Sequence, residues 1–312
     1  MTAGVRAMRG VGGSPDSDGG AVPVHPAITA LAAELGRAAG AVAVLFYGSN
    51  LRTGSLDGVL DFYVLLPGPR ERGLWPLVSY LERPFAGGTL RAKVATMRLA
   101  TFAHAASGAS LDTTIWARFV QPSALVWTRG PDEAAQVRAA IAACARTAAR
   151  LAVALGPDRG THADYWRALF RATYRAELRV EPPGREDTIL AVDPGHYHAL
   201  LDVALAQAGI AVDGEGAVAG TVLVPRLGTH ERQATLRWWA RRRRWGKALN
   251  ALRLLRAAAT FEGAARYAAW KIERHTGLPV PLTPWRERHP VLAAPGVLWR
   301  LWRARRAQLP EK

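Results

Sequence analysis

Apolar residues along this chain keep two periods in alternation before settling into one. From Pro26, PAITALAAELGRAA repeats at three and four residues and predicts a helix. AVAVLFY (41–47) is an unbroken apolar run rich in β-branched and aromatic residues, which predicts a buried strand. The polar SNLRTGSLDG reads as a loop or short helix, and VLDFYVLL (59–66) as a second strand that Pro67-Gly68-Pro69 stops. A helix is predicted around residues 74–83. LRAKVATMRLATFAH (90–104) alternates as a strand does, TTIWARFVQP follows, and SALVWTRG reads as another short strand.

From Pro131 onward the period is mostly helical, over 131–155, 165–180, 194–208 and most of the tail from Glu231. Breaks fall at PPGRED, Gly277-Leu278-Pro279, His289-Pro290 and Pro295-Gly296. This order gives an α+β class. A mixed β-sheet with helices is expected over 25–130. A helical second domain, with a winged-helix form as one option, is expected over 131–228, and a basic helical region over 229–312. Residues 1–24, rich in Gly, Ser and Asp, are expected to form a disordered leader rather than a secretory signal.

Composition narrows the classes. With 312 residues and 49% hydrophobic content, the chain can bury a large core. One cysteine, Cys144, excludes an internal disulfide and a Cys-rich zinc site. It sits in an Ala-rich helical pattern and is expected to be a small buried residue. No run reaches the roughly 18 uncharged apolar residues that a spanning helix needs, so an integral membrane protein is excluded and a peripheral one is left open. The net charge of +16 is concentrated: residues 226–306 hold 19 Lys/Arg, four acidic residues and seven of the 11 tryptophans. Such a region calls for an anionic partner, nucleic acid or an anionic membrane surface.

Candidate chemistry lies where the first strand ends. Gly48-Ser49 closes one apolar run, and Asp61 opens the next. A carboxylate at the mouth of a buried strand is costly unless a positive group sits beside it. Backbone N–H groups of a Gly-Ser turn suit the outer phosphates of a nucleoside triphosphate. A neighbouring carboxylate suits the Mg²⁺ that bridges such phosphates. On spacing alone, a turn-capping role for Asp61 is an equal reading.

The arrangement resembles the core of the polymerase-β-like nucleotidyltransferases, whose pattern puts a second carboxylate two residues after the first. Here that residue is Tyr63, with Asp57 and Asp112 as second-tier carboxylates. Lack of the second carboxylate is itself a feature of the Tam41/Mmp37 family of phosphatidate cytidylyltransferases, which the chain resembles from about residue 40 to 275. Tyr47-Gly48-Ser49-Asn50 and Asp61-Phe62 match that family's Tyr-Gly-Ser-Gly turn and Asp-Phe/Leu pair. Lys93 matches a strand-opening Lys, and Ala117-Arg118-Phe119-Val120-Gln121-Pro122 a Gly-Arg-Leu-x-Lys-Pro segment. Tyr174-Arg175-Ala176-Glu177-Leu178-Arg179, followed by Gly184-Arg185-Glu186-Asp187, matches Ser-Tyr-x-Gly-Asp-x-Arg and a Gly-Glu-Asp turn. Residues 254–271, with Arg266-Tyr267, are similar to its C-terminal basic helix. The departures are Asn50, Ala117 and Ala176 for Gly, Gln121 for Lys, Glu177 for Asp, and an aspartate whose nearest counterpart, Asp112, is displaced.

The resemblance implies a nucleotidyltransferase-type sheet and a Mg²⁺ cofactor held by Asp61 and Glu177. Glu177 has a competing reading, as an ion-pair partner of Arg175 or Arg179. It further implies that Tyr47, Gly48, Ser49, Asn50 and Arg179 bind the nucleotide, and that Lys93 and Arg118 are charge partners of triphosphate or phosphatidate. The implied reaction joins CTP and phosphatidate into CDP-diacylglycerol and diphosphate. Two alternatives stay open: a nucleotidyltransferase with another acceptor (another phospholipid, an RNA end or a small molecule), and a non-catalytic basic binding protein with a degenerate version of the fold.

The tail bears on location. RWWARRRRWGKALNALRLLRAAA places Trp245, Leu249, Leu252, Leu255 and Ala259 at helical spacing beside arginines, and LWRLWRARR (298–306) repeats the theme. A basic amphipathic helix with tryptophans suits an anionic membrane surface. A cytoplasmic protein, peripheral on the inner face of the cell membrane, is expected, with nucleic acid as the weaker partner. Packing of the Trp/Leu stripe onto the body is the competing reading. His196 and His198 stand two residues apart, cannot share a helix face, and are read as structural.

Overall fold

The computed structural model describes residues 24–86, 88–176, 184–213, 220–289, 292–297 and 299. The expected leader, apart from Val24, therefore lies outside the described residues. So do Glu177, Arg179 and residues 300–312.

The protein is mixed α+β, with a five-stranded sheet and a larger helical part. Helix α1 (Pro26–Ala38) starts with Pro at its first turn and a His25 ring nitrogen accepting from the Ala27 N–H. It leads into β1 (Ala43–Tyr47), the short α2 (Ser49–Thr53) and β2 (Val59–Leu66). Next come β3 (Leu77–Phe85), β4 (Gly88–Arg98), α3 (Leu99–Ala106), α4 (Thr114–Phe119) and β5 (Ser123–Thr128). The sheet order is β3-β4-β2-β1-β5, with β2 and β4 parallel and all other pairs antiparallel.

Alternation sorts the strand residues onto two faces. Val44, Phe46, Phe62, Val64 and Val94 pack against Ile28 and Leu31 of α1. Leu45, Tyr63, Leu65, Ala95 and Met97 pack on the other side against α3, α4 and α5 (Pro131–Leu155). Both faces are covered, so β1 and β2 are nearly all apolar rather than alternating.

Residues 77–85 form an edge strand where a helix was expected around 74–83. Leu77 and Leu81 have helical spacing, but β4 presents an open ladder, and pairing Phe85 with Gly88 through Leu77 with Thr96 fills it. Tertiary pairing overrides local propensity here. The strand expected over 90–104 ends at Arg98, and its last residues form α3. PPGRED does not simply break the helical run, because α7 (Arg185–Val192) starts inside it.

Helix α5 is the spine of the helical part. Its stripe of Ala140, Cys144, Ala145, Ala148 and Ala152 is small enough to let α6 (His162–Ala176), α8 (Pro194–Gln207) and α9 (Thr229–Thr260) approach closely. Cys144 is fully buried, and burial pushes its thiol well above the ordinary range, as expected for a packing residue. A two-residue ribbon, β6 (Val212–Asp213) with β7 (Val224–Pro225), lies between α8 and α9. Helices α10 (Ala264–Thr276) and α11 (Pro284–Arg288) follow.

Helix α9 is tied to the sheet domain by arginines. Arg253 grips buried Asp112 with both nitrogens, at 2.6 and 2.5 Å, and also reaches Thr114 Oγ1 and the Trp75 carbonyl. Asp112 also accepts from the Thr114 N–H and hydroxyl, fixing the start of α4. Arg242 is buried against the Trp238 ring and donates to the Gly108 carbonyl; burial pushes its pKa down to about 10. Removing one partner of such a buried pair leaves an uncompensated charge, at a cost of about 3–5 kcal/mol. Asp112→Ala should therefore lower stability by about 3–5 kcal/mol in urea unfolding, while Asp57→Ala, at an exposed loop position, should cost under about 0.5 kcal/mol.

Candidate functional site

The site is built from one row of paired residues crossing all five strands: Ser123, Tyr47, Asp61, Lys93 and Tyr80. Residues directly opposite one another share a face, so Asp61 stands between Tyr47 and Lys93 with Cβ atoms about 5 Å away on either side. This face also carries Tyr63.

Gly48 follows β1 with φ +95° and begins α2. A side chain there would be strained by the backbone and would put its Cβ 3.0 Å from Asp61 Oδ2. Glycine is thus required for the Tyr47–Ser49 backbone to pass directly over the Asp61 carboxylate. Asn50 is buried and donates its amide to the Ser55 and Asp57 carbonyls, at 2.9 and 2.7 Å. Its side chain shapes the loop that leads into Asp61. Ser49 heads α2, its hydroxyl 3.4 Å from Asn50 Oδ1.

Arg118 enters from α4. Its guanidinium lies over the Tyr47 and Tyr63 rings, 5.4 and 5.9 Å from their centroids, and Nη1 donates to Tyr63 Oη at 3.0 Å. Phe119, next in sequence, packs on the same two rings. Tyr63 is fully buried, and its hydroxyl needs a partner. It is the seat of Arg118.

The C-terminal helices close the site from the other side. The Tyr80 N–H donates to the Glu262 carbonyl at 2.8 Å, and Gly263 (φ +78°) lies so close to the Tyr80 carbonyl that any side chain would collide. This docks α10 on the edge strand, with Tyr267 against Tyr80. Lys271 is thereby near enough to act on Lys93, and Arg274 Nη1 lies beside Gly58, 3.3 Å from where a Cβ would stand. Arg91 and Arg274 both lie over Trp270.

The electrostatics follow from burial. Asp61's carboxyl is raised above the ordinary aspartate range, chiefly by burial, although Lys93 and Arg118 pull it down. Lys93 is lowered, again chiefly by burial, with Asp61 opposing and Arg118 and Lys271 adding to the shift. One carboxylate thus faces Lys93 and Arg118, with Lys271 at the rim.

Among the residues expected from sequence, Tyr47, Gly48, Asp61, Lys93 and Arg118 come together. Ser49 and Asn50 are beside them. Glu177 and Arg179 lie outside the described residues. Asp112 is taken up by Arg253 and Thr114, and Asp57 is an exposed loop residue whose carbonyl serves Asn50. Lys271 and Arg274 were not singled out as site residues. Lys271 closes the basic helix of residues 254–271 and Arg274 lies just past it, and basic charge there does not show which face reaches the sheet. His196 bonds the Val120 carbonyl, whereas His198 turns to His162 and Asp202, a grouping across two helices that no local pattern shows. Neither a protein-family model nor a curated protein matches the chain.

A raised carboxyl binds its proton more tightly in the folded state, so ionised Asp61 costs stability once the pH exceeds the unfolded value. Asp61→Asn should therefore raise the melting temperature at neutral pH. The gain should fade as pH falls through the folded value toward the ordinary aspartate range. Thermal unfolding from pH 3.5 to 8 checks this.

Proposed function

We propose that the protein is a Mg²⁺-dependent nucleotidyltransferase whose substrates are CTP and phosphatidate and whose products are CDP-diacylglycerol and diphosphate. The observation that carries this reading is the surplus of cations around one half-buried carboxylate. Lys93 and Arg118 more than neutralise Asp61, and Lys271 enlarges the surplus. Such a site favours a highly charged anion. The Gly48 turn over Asp61, the antiparallel β1–β2 pair and the parallel β2–β4 pair suit a polymerase-β-like core, and the sequence resemblance points the same way.

The donor set fits Mg²⁺ in one specific manner. Mg²⁺ is commonly held by one or two carboxylates together with substrate phosphates and water. Asp61 supplies the one; position 63, on the same face, is spent on Arg118. Mg²⁺ bound there neutralises charge on the phosphates. Glu177, outside the described residues, is the candidate for a second carboxylate.

The chain's own residues do the positioning. Arg118, pinned by two tyrosine rings and a hydroxyl, presents a fixed guanidinium fork suited to phosphate oxygens. Lys93 holds charge complementary to the transferred phosphoryl group. An oxygen of the phosphatidate phosphate attacks the α-phosphorus of CTP, a P–O–P bond forms, the α–β bond breaks, and diphosphate leaves. The attacking oxygen is already ionised near neutral pH, so catalysis rests on placement and charge neutralisation rather than on a strong base.

An anionic membrane surface on the cytoplasmic side suits the same chemistry. No helix among the described residues is long and apolar enough to cross a membrane. Trp245, Leu252, Trp285, Leu292 and Trp299 are exposed, with Arg241, Arg243, Arg244 and Lys247 exposed near the first two. Leu249 is half-buried, and the Leu255 and Ala259 side chains lie outside the described residues. The inward side of α9 is a different stripe: Thr235, Trp239, Arg242 and Gly246. Exposed tryptophans among arginines suit a headgroup layer.

Purified protein with Mg²⁺, each labelled nucleoside triphosphate and phosphatidate vesicles should form CDP-diacylglycerol with CTP. Asp61→Ala should abolish formation. Lys271→Met should lower kcat/KM about tenfold or more, the scale of one charge-assisted contact. Absence of turnover with every nucleotide, in protein that still binds vesicles, would overturn the reading in favour of a non-catalytic binding protein.

A further inference from the structure

Two imidazoles and a carboxylate meet on the helical part, away from the sheet site. His162 opens α6; His198 and Asp202 are one turn apart on α8. The rings stack with centroids 3.6 Å apart and planes 26° from parallel. His162 Nε2 lies 2.8 Å from Asp202 Oδ1, and His198 Nδ1 lies 3.8 Å from Asp202 Oδ2. One nitrogen from each ring and a carboxylate oxygen fall within 4.8 Å of one another. Among the described residues this is the one group of three His, Cys, Asp or Glu side chains close enough to share an ion.

His162 is only 4% exposed and is held by packing, with Nε2 turned to Asp202 and Nδ1 on the far side of the ring.

We propose that His162, His198 and Asp202 form a binding site for a divalent transition metal, with Zn²⁺ the best fit, that staples α6 to α8. Nitrogen and oxygen donors about 2.0–2.2 Å from zinc stand roughly 3.3 Å apart in a tetrahedron. The observed 2.8 and 3.8 Å separations bracket that value, and the stacked rings must turn out of parallel to bring both nitrogen lone pairs onto one ion. Two nitrogens and one oxygen suit Zn²⁺ and its neighbours and not Mg²⁺, which prefers oxygen throughout. The Asp202 side chain is 40% exposed, which gives a path of entry and leaves a fourth position for water. The staple sits behind the sheet site: His196, on the same first turns of α8, bonds the Val120 carbonyl just beyond Arg118.

Tag-free, chelator-treated protein titrated with ZnCl₂ alone tests this. Wild type should take up one equivalent and melt at a higher temperature with Zn²⁺, whereas MgCl₂ should not raise the melting temperature through this cluster. His198→Ala and Asp202→Asn, at more exposed positions than His162, should each weaken zinc binding at least about tenfold and lose the zinc-dependent shift. Two results would overturn the proposal. One is no stoichiometric zinc uptake by wild type; the other is uptake that both variants retain, which would place zinc elsewhere and leave the cluster a hydrogen-bonded helix clamp.

Discussion

Much of this structure turns on the need to keep one carboxylate ionisable inside a sheet. Asp61 stands on the central strand β2 with covered strands on both sides, where burial disfavours its charged form. Lys93 answers from the parallel neighbour β4, and Arg118 from α4 across the face. Each of these cations must in turn be held. Lys93 is fixed by the strand register, and Arg118 is clamped by Tyr47, Tyr63 and the tyrosine hydroxyl. The aromatic packing of Phe102, Phe119, Tyr47 and Tyr63 is the mould for that guanidinium.

The same constraint explains why the C-terminal helices are attached as they are. Arg253 of α9 grips Asp112, and Asp112 fixes the first residues of α4, the helix that delivers Arg118. The chain then passes the edge strand at Glu262 and Gly263, so that α10 brings Lys271 to the site's open side. Part of the large positive charge of the last quarter is therefore turned inward, to anchoring and to the site. Another part, around Trp245 and Leu252, faces solvent.

Much of this frame was legible in the sequence because it depends on strong local signals. The apolar runs at 41–47 and 59–66 are too long and too β-branched to be anything but buried strands, and they place Gly48 and Asp61 at neighbouring ends. Helices α5, α6 and α8 follow from their period. What sequence could not give depends on pairing at a distance. Residues 77–85 have helical spacing and become a strand because β4 needs a partner. Asp112 looked like a spare carboxylate because nothing local shows Arg253 arriving from 141 residues away. Tyr63 looked like a gap in a metal site, and its role is visible only once Arg118 is seen resting on it. Lys271 and Arg274 were lost among many basic residues, since charge counts do not reveal facing. His198 was judged against its sequence neighbour His196 rather than against His162.

Asp61 is proposed as a ligand for a cation that arrives with a triphosphate, and not merely as a counter-ion for Lys93 and Arg118. Calorimetric titration of CTP into wild type and Asp61→Asn, with chelator and then with Mg²⁺, separates the two most directly. Without Mg²⁺ the variant should bind CTP more tightly, because a negative charge has left a cationic site. With Mg²⁺ the order should reverse, because the variant cannot hold the ion. Tighter binding by Asp61→Asn under both conditions would contradict the account and leave Asp61 as a structural counter-charge.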